Sequence, residues 1–434
     1  MQLDVLVGRN GLLPAHDYLR APRGFWTAPT IFWLDHRDGT LHAAAIVGAI
    51  LSCGLLLNVA PRWCLVALWA LYLSFVTIGQ DFLSFQWDNL LLESALFALF
   101  IVPGGLRPRR APPPSRLGVF VMLWLVFRLN FESGLAKLLW GDPTWRDLTA
   151  MVSYYETAPI PTWIAWWAHQ MPVWAHRATA GFVYVTELGL PLLIWGSPQA
   201  RLVAFIGMEA MQVGVALTAN YGFFNYLSAA LLLFLLDDRQ LGREPSAVEV
   251  PRARAGHVVV AAAVVALTVV SFLPVVPAAR ALDRAVFPVY RAIAPFRSLN
   301  AYHLFAHMTL VRREPVIEGS ADGVTWLPYE LRYEPGDVDR PPPFVAPHQP
   351  RVDFQAWFLL LGPRGAPWFD SLLHRLVTAP ETVAGLFARD PFPTTPPRFV
   401  RVAVYRYRFT DTATRRATGA WWSRELLGHL PANR

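Results

Sequence analysis

The chain is poor in charged residues and in cysteine. Charged side chains make up 16% of its 434 residues, whereas a typical soluble globular protein carries about 25%. Its two cysteines, Cys53 and Cys64, both lie in apolar stretches, which excludes a disulfide-rich class. The composition is 54% hydrophobic with 18 tryptophans, and the longest apolar runs lie between positions 41 and 277. These features exclude a soluble or disordered protein and indicate a multi-pass membrane protein.

Apolar runs and turn signals divide the chain into two parts. Eight runs are long enough, or nearly long enough, to cross about 30 Å of hydrocarbon. They lie near residues 41–57, 63–78, 88–103, 117–139, 178–196, 202–218, 223–236 and 256–277. After residue 278 the pattern predicts strands near 308–312, 315–320, 325–333 and 399–409, a turn at Asp322-Gly323 and a helical region over 353–389.

We therefore predict a multi-pass α-helical membrane bundle of about eight spans followed by a β-rich α+β extramembrane domain. The predicted boundaries are an outward-facing N-terminal segment at 1–40, a transmembrane helical domain at 41–278 and a soluble periplasmic or lumenal domain at 279–434.

Two arginine clusters predict the orientation of the bundle. They consist of Arg107, Arg109, Arg110 and Arg116, and of Arg239, Arg243, Arg252 and Arg254. Short loops rich in arginine usually face the cytoplasm. If both clusters do so, an even number of spans must lie between them, and the four predicted spans meet this condition. Residues 140–177 and 279–434 then face outward. Residues 1–40 then also face outward, although no signal peptide precedes them. We expect either a further helix before this sequence or a topology that differs by one span.

Polar side chains within the apolar spans form the first candidate site. A charged group at a helix centre costs at least about 2.5 kcal/mol and normally faces the bundle interior or water. Lys137 is the only lysine and supplies a compact ammonium that arginine cannot, while Arg128 and Glu132 are spaced for an ion pair within one helix. The candidates are Asp88, Glu93, Arg128, Asn130, Glu132, Lys137, Glu187, Glu209, Asn220 and Asn225.

Two interpretations of these polar residues remain open. The charges either neutralise one another and fix helix packing, or line a polar cavity that binds a headgroup, a quinone or a peptide segment. Lys137, close to the end of its span, is also able to reach the membrane interface.

The aromatic outward loop 140–177 is the second candidate site. Its tryptophan density is typical of the headgroup layer and predicts an interfacial helix around 161–170; an aromatic platform for a ligand or client is the alternative. The candidates are Trp145, Tyr155, Glu156, Trp163, Trp166, Trp167 and His169.

No catalytic triad, nucleotide-binding loop or metal-ligand spacing is present. His303 and His307 would hold a metal only on a helix and with a third ligand. We expect no metal, no cofactor and no nucleic-acid partner.

Several motifs, in this order, resemble the lipase maturation factor family over nearly the whole chain. They include Asn10-Gly-Leu-Leu-Pro, Gln80-Asp-Phe-Leu-Ser-Phe-Gln-Trp-Asp-Asn-Leu-Leu-Leu-Glu93, Arg128-Leu-Asn-Phe-Glu-Ser-Gly-Leu-Ala-Lys137, Asn220-Tyr-Gly-Phe-Phe-Asn225, Glu318-Gly-Ser-Ala-Asp-Gly-Val-Thr-Trp326 and Gln349-Pro-Arg-Val-Asp-Phe-Gln-Ala-Trp357. Each motif is weak alone, and their shared order carries the resemblance.

The resemblance implies a membrane-embedded folding or assembly factor for secreted proteins. In eukaryotic relatives the clients are dimeric lipases and the membrane is that of the endoplasmic reticulum; a bacterial member would lie in the inner membrane. The partners are then a secreted client and the lipid bilayer, and we expect no enzymatic activity. The alternative is a membrane enzyme similar to vitamin K-dependent carboxylase-like proteins, with Lys137 as the candidate base. A transporter is disfavoured because no inverted repeat is apparent.

Overall fold

The computed structural model describes residues 2–108, 113–244, 250–276, 283–362 and 365–430. Within these ranges six helices are long and apolar enough to span a membrane. They are α3 (Asp38–Leu56), α4 (Pro61–Ile78), α6 (Arg116–Leu139), α10 (Val173–Tyr184, continued by π and 3₁₀ turns to Trp195), α11 (Pro198–Thr218) and α13 (Ala255–Phe272, continued by a 3₁₀ turn to Val275).

The prediction of about eight spans is not confirmed, because two of the predicted runs form short helices. Helix α5 (Gln86–Ala98) has 13 residues, and α12 (Phe224–Leu232) continues only to Leu235. At 1.5 Å per residue, 13 residues extend about 20 Å, less than the hydrocarbon thickness. Both short helices pack inside the bundle, where Leu90, Phe97, Leu231 and Leu235 are buried.

Local sequence explains where the long helices begin. Ser115 and Ser197 accept hydrogen bonds from the backbone N–H groups of Gly118 and Ala200, which caps α6 and α11. Pro61 and Pro198 occupy the first turn of their helices, where no intrahelical N–H bond is lost. These signals position the ends of the spans, and therefore the loops at each face of the bundle.

The two ends of the bundle differ. At one end the loops contact each other, with the Ala60 N–H donating to the Leu106 carbonyl at 2.8 Å and Gln240 donating to the Pro198 carbonyl at 2.7 Å. This end carries the arginine clusters, of which Arg109 and Arg110 lie outside the described residues. The opposite end holds the N-terminal residues, residues 140–172 and the C-terminal part of the chain.

Short helices cover that opposite end. They are α1 (Gln2–Val7), α2 (Ala15–Arg20), α7 (Pro143–Arg146), α8 (Ala150–Thr157) and α9 (Trp163–His169). Helix α9 occupies the position of the predicted interfacial helix. Helix α14 (Asp283–Ile293) follows the last long helix.

The C-terminal part contains a five-stranded antiparallel sheet with two helices beside it. The strands are β1 (Arg312–Ser320), β2 (Leu327–Leu331), β3 (Phe387–Arg389), β4 (Phe399–Phe409) and β5 (Trp422–His429), in the spatial order β3-β2-β1-β4-β5. The helices are α15 (Arg351–Phe358) and α16 (Pro367–Thr378); α17 (Thr412–Thr418) joins β4 to β5.

Several local predictions for this region need correction. The predicted helix over 353–389 is interrupted, since Gly362, Pro363 and Gly365 follow α15 in the sequence and disfavour helix. Of the predicted strand 308–312 only Arg312 is in a strand, as the first residue of β1, and β3 and β5 were not predicted. The Asp322-Gly323 turn is present: Gly323 has a φ of 78°, and Asp322 accepts from the Val324 and Thr325 N–H groups at 2.8 Å.

One hydrophobic cluster joins the N-terminal helices to the C-terminal part. Leu6 and Leu12 of the N-terminal segment, Phe82 after α4, and Trp368 and Leu372 of α16 are all buried in it. Burying such side chains contributes about 1.5–3 kcal/mol each. The C-terminal part is therefore packed onto the bundle rather than tethered to it.

Candidate functional site

Arg128 is the centre of the first buried ion cluster. Its side chain is 1% exposed, and it lies 2.6 Å from Glu93 Oε1 of α5 and 2.8 Å from Glu132 Oε1, one turn along α6. The Tyr302 hydroxyl donates to Glu93 Oε2 at 2.8 Å, and the Tyr302 N–H donates to Glu132 Oε2 at 3.0 Å. Arg128 also donates to the Asn300 carbonyl. These partners compensate most of the cost of placing the charges within the bundle.

Lys137 and Glu187 form a second buried cluster. Lys137 Nζ lies 2.7 Å from Glu187 Oε2 and donates to the Leu304 carbonyl at 2.7 Å. Glu187 belongs to a five-residue π-helical turn, Val185–Gly189, a feature that often marks functional sites. The indole of Trp145 lies 5.1 Å from Nζ and donates to the Phe305 carbonyl at 2.8 Å.

Both clusters hold the same stretch of chain, residues 298–306, which we call the linking segment. This segment has no regular secondary structure over 301–303, so its carbonyl and N–H groups are available to side chains. Arg128, Glu93 and Glu132 bind it at Asn300 and Tyr302, and Lys137 and Trp145 bind it at Leu304 and Phe305. The charged residues of the bundle therefore hold in place the stretch of chain that leads into the C-terminal sheet.

The remaining polar candidates take no part in the two ion clusters. Asp88 pairs with Arg351 at 2.9 Å and accepts from Tyr72 at 2.6 Å. Asn220 accepts from the Val345 and Ala346 N–H groups at 2.7 and 2.9 Å, while Asn225 donates to Gln212 at 2.9 Å. Asn130 donates to the Val126 carbonyl within its own helix at 2.9 Å, and Glu209 is half-exposed on α11.

Four of the ten predicted residues, Asn130, Lys137, Glu187 and Asn225, line a common small cavity, whereas the other six do not. Each buried charge forms ion pairs or hydrogen bonds with the groups nearest to it in the fold, because an unpaired charge in this environment costs several kcal/mol. His303 and His307 lie on a non-helical stretch and stack beside Trp140, with ring centroids 5.2 and 5.0 Å away.

Two adjoining cavities lie beside the linking segment. The smaller, of about 90 Å³, is lined by Lys137, Glu187 and Asn225, among others. The larger, of about 510 Å³, is mainly aromatic; its walls include Trp87, Trp140, Phe354, Trp357, Phe358 and Leu361. The cavities share Tyr221, Phe224, Leu304 and Phe305. An apolar chamber therefore opens beside a buried ion pair, at the junction between the bundle and the C-terminal part.

The predicted aromatic loop does not form a single exposed surface. Trp163 and Trp167 are 43% and 54% exposed, whereas Trp145, Tyr155 and Trp166 are buried. These buried rings share a cluster with Tyr407, Phe409 and Trp422 of the sheet. Most of the loop's aromatic rings are therefore buried against the C-terminal part, and the exposed rings lie at the edge of this contact.

Glu156 and His169 belong to the same contact. Glu156 Oε2 accepts from the Phe409 N–H at 2.7 Å and lies 3.7 Å from His169 Nε2. Burial raises the pKa of Glu156 and lowers the pKa of His169. Burial thus favours the neutral form of both side chains, as expected of groups at a packed junction.

Sequence reasoning missed Asn300, Tyr302 and Arg351. All three lie in the part of the chain that was predicted to be separate from the bundle, and no periodicity relates them to α5 or α6. The one available signal was the motif Gln349-Pro-Arg-Val-Asp-Phe-Gln-Ala-Trp357, whose arginine is the partner of Asp88.

Comparison with known proteins supports this organisation. Residues 1–243 match the family model of the lipase maturation factor transmembrane domain, and residues 298–431 match that of the lipase maturation factor C-terminal domain. This chain belongs to the lipase maturation factor family. The linking segment begins where the C-terminal family domain begins, and the ion clusters join the two family domains.

Relatives in this family cover the chain almost completely. It is 32% identical to lipase maturation factor 2 of Gallus gallus and of Homo sapiens, over 98% of this chain and 77% and 78% of those proteins. It is 31% identical to lipase maturation factor 1 of Bos taurus, over 98% of this chain and 83% of that protein. No solved structure matches the chain significantly. The family and its membrane-spanning helices make the protein an integral membrane protein.

Proposed function

We propose that this protein is a membrane-embedded factor that assists the folding and assembly of secreted proteins. Its membership of the lipase maturation factor family carries the proposal, since the family models match in both the bundle and the C-terminal part. The named relatives support secreted lipases as the class of client. The comparisons give no support to the carboxylase-like enzyme that the sequence left as the alternative.

The aromatic cavity is the surface through which we propose that the client is bound. It lies between the two family domains, and its volume of about 510 Å³ accommodates several apolar side chains. Phe358 and Leu361 on its rim are 40% and 49% exposed, and exposed apolar patches commonly mark protein interaction sites. An incompletely folded client presents the apolar segments that such a surface binds.

We further propose that the C-terminal part faces the periplasm or the lumen of the endoplasmic reticulum. The arginine-rich loops at the opposite end of the bundle support this orientation, because such loops remain in the cytoplasm. A bacterial protein would then lie in the inner membrane and a eukaryotic one in the membrane of the endoplasmic reticulum. A secreted client would meet the cavity as it leaves the membrane.

The proposal is tested by removing the gene and comparing the secreted proteins by quantitative mass spectrometry, together with secreted lipase activity. We expect a small set of secreted proteins to fall in abundance and to recover when the intact gene is restored. Unchanged secretion would reject the proposal.

A matched pair of variants tests the cavity itself. Phe358→Asp places a charge on the cavity rim, whereas Phe399→Asp places one on β4, outside the cavity, at a similar exposure of 45%. At equal membrane abundance, Phe358→Asp should fail to restore secretion and Phe399→Asp should restore it. Full restoration by Phe358→Asp would show that the client binds elsewhere.

A further inference from the structure

The C-terminal sheet contains a second cavity, which the proposed function does not use. It has a volume of about 290 Å³ and lies where β1 and β2 diverge, since their pairing ends at Ile317 and Tyr329 while β1 extends to Arg312. Helix α16 closes it with Trp368, Phe369 and Leu372. The cavity is separate from the aromatic cavity at the end of the bundle: no residue lines both, although Ala356 of one and Trp357 of the other are neighbours in the chain.

Two buried carboxylates line this cavity, and Arg312 lies within ion-pair distance of both. Glu314 and Glu334 are 2% and 6% exposed, and both lie beside Arg312, at 2.6 and 3.1 Å from Nη2. Arg312 is already engaged, because it also donates to the carbonyls of residues 156, 158 and 159. The cluster therefore carries one more negative than positive charge when both carboxyls are ionised.

Neither carboxylate has its full set of partners. Oε1 of Glu334 and Oε1 of Glu314 accept no hydrogen bond from the described residues, although the latter lies close to Arg312. A buried acceptor without a donor costs about 1–3 kcal/mol, and more when it is charged. Glu334 thus places a deeply buried oxygen that lacks an N–H or hydroxyl donor at the wall of a cavity, beside the Glu314 carboxyl.

The other walls are mostly apolar, and the charged side chains Glu330, Asp337 and Arg424 also line the cavity, which leaves its lining with an excess of negative charge. Trp368, Phe369, Leu372, Leu331 and Val316 provide apolar surface for a short methylene chain, and aromatic faces attract cations. Among the described residues, no group of three or more His, Cys, Asp or Glu side chains is placed to hold a metal ion, which favours an organic cation over Ca²⁺ or Mg²⁺.

We propose that this cavity binds an alkylammonium or alkylguanidinium group, with the cation at Glu314 and Glu334 and its methylene chain against α16. The source of the group is either a free amine or the side chain of a lysine or arginine in a polypeptide. This inference does not depend on the proposed folding function, and the binding experiment below uses no client.

A proton competes with the organic cation. Burial raises the pKa of both carboxyl groups, so that one carboxyl is able to carry a proton and donate it to the other when no cation is bound. Binding of a cation displaces that proton, and affinity should therefore rise as pH increases, by up to tenfold per pH unit. The charged and titratable groups around the pair, from the elements packed against it, are Arg312, Tyr329, Glu330, Asp337, Arg340, Asp353, Tyr407 and Arg424.

The test is a titration of the detergent-solubilised full chain with n-butylamine and n-butylguanidine, followed by calorimetry and tryptophan fluorescence at pH 6 and pH 8. Neutral n-butanol is the matched control for apolar binding. We expect the two cations to bind at least tenfold more tightly than n-butanol, and more tightly at pH 8 than at pH 6. Equal binding of n-butanol, or no binding of either cation, would overturn the proposal.

Variants locate the site. Glu334→Gln, which keeps the side-chain shape and removes one of two neighbouring like charges, should weaken cation binding at least tenfold. Glu318→Gln is the control: it alters a buried glutamate on the same strand that pairs with Arg401 outside the cavity. The melting temperature of each variant shows whether it is folded. If Glu334→Gln does not fold, Glu314→Gln provides a second variant. Unchanged affinity in a folded variant of either residue would contradict the assignment.

A capped pentapeptide with a central lysine, compared with the same peptide carrying norleucine, distinguishes the two sources. Tighter binding of the lysine peptide than of n-butylamine identifies a polypeptide side chain as the ligand. Binding of n-butylamine without binding of the peptide identifies a free amine.

Discussion

Lys137 stabilises the bundle through contacts that no other residue type in the chain is able to make. Its ammonium binds Glu187, the Ser133 and Leu304 carbonyls and the face of Trp145 from a position that is 2% exposed. A guanidinium is larger and planar, which makes it a poor replacement in a space this confined.

Lys137→Met should destabilise the protein by about 3–5 kcal/mol, because it leaves the Glu187 carboxylate buried without its partner. The double variant Lys137→Met/Glu187→Leu should recover much of this loss, since no buried charge remains. Melting temperature in detergent and abundance in the membrane measure both effects. Equal stability of Lys137→Met and the unmodified protein would show that Glu187 has another partner.

Asp353 gives the C-terminal part a dependence on pH. It is 4% exposed and accepts from the Tyr333 N–H at 2.8 Å, and burial raises its pKa to about 6. The pKa of an unfolded aspartate is about 3.9. The protonated carboxyl therefore stabilises the fold below about pH 4, and this contribution, about 2–3 kcal/mol, is lost as pH rises through about 6.

Asp353→Asn should consequently raise the melting temperature at pH 7.5 and change it little at pH 4. The amide oxygen retains the hydrogen bond from Tyr333, and the cost of a buried carboxylate disappears. The decline in melting temperature between these pH values should become shallower without vanishing, because burial also raises the pKa of Glu314 and Glu334. An identical decline in both proteins would assign the effect to other groups.

At the scale of elements, the contact between α6 and the π-helical turn depends on one glycine. A Cβ at Gly134 would lie 2.8 Å from Glu187 Cβ and 2.8 Å from Leu188 Cγ, closer than atoms in a packed interior approach. Small residues allow membrane helices to pack this closely, and here the close approach brings Glu187 within reach of Lys137.

Gly134→Ala should therefore destabilise the protein by about 1–3 kcal/mol, because the added methyl group forces the elements apart. Gly214→Ala on α11 is the matched control: its Cβ meets no atom within 4 Å, and alanine favours the helix. Thermal unfolding in detergent should separate the two variants. A Gly134→Ala protein as stable as Gly214→Ala would mean that the helices readily adjust.

The elements also show which features of the fold were predictable from the sequence. The Arg128–Glu132 spacing within a helix is local, and the structure places these side chains 2.8 Å apart. Glu93 pairs with Arg128, 35 positions along the chain, Lys137 with Glu187, 50 positions along, and Asp88 with Arg351, 263 positions along, so that no local pattern relates these partners. Short apolar helices such as α5 also mimic spans, because hydrophobicity alone does not distinguish burial in protein from burial in lipid.

At the scale of the whole molecule, the bundle separates two chemically different faces. The arginine-rich loops occupy one end, whereas the N-terminal segment, the aromatic loop and the sheet assemble at the other. The Asp88–Arg351 ion pair, together with the hydrogen bonds that Arg128, Glu132 and Lys137 form with the linking segment, fixes the C-terminal part to the bundle. The rim of the aromatic cavity is formed by both parts, so its shape depends on this attachment.

Cysteine labelling tests the orientation of the two faces. In a background of Cys53→Ala and Cys64→Ser, Val324→Cys marks the turn between β1 and β2 and Leu241→Cys marks an arginine-rich loop; Val324 is 82% exposed and Leu241 is 51% exposed. A membrane-impermeant maleimide applied to right-side-out vesicles should modify Val324→Cys at once and Leu241→Cys only after the membrane is opened. The reverse pattern would place the sheet in the cytoplasm, where it would never meet a secreted client, and would overturn both the orientation and the proposed function.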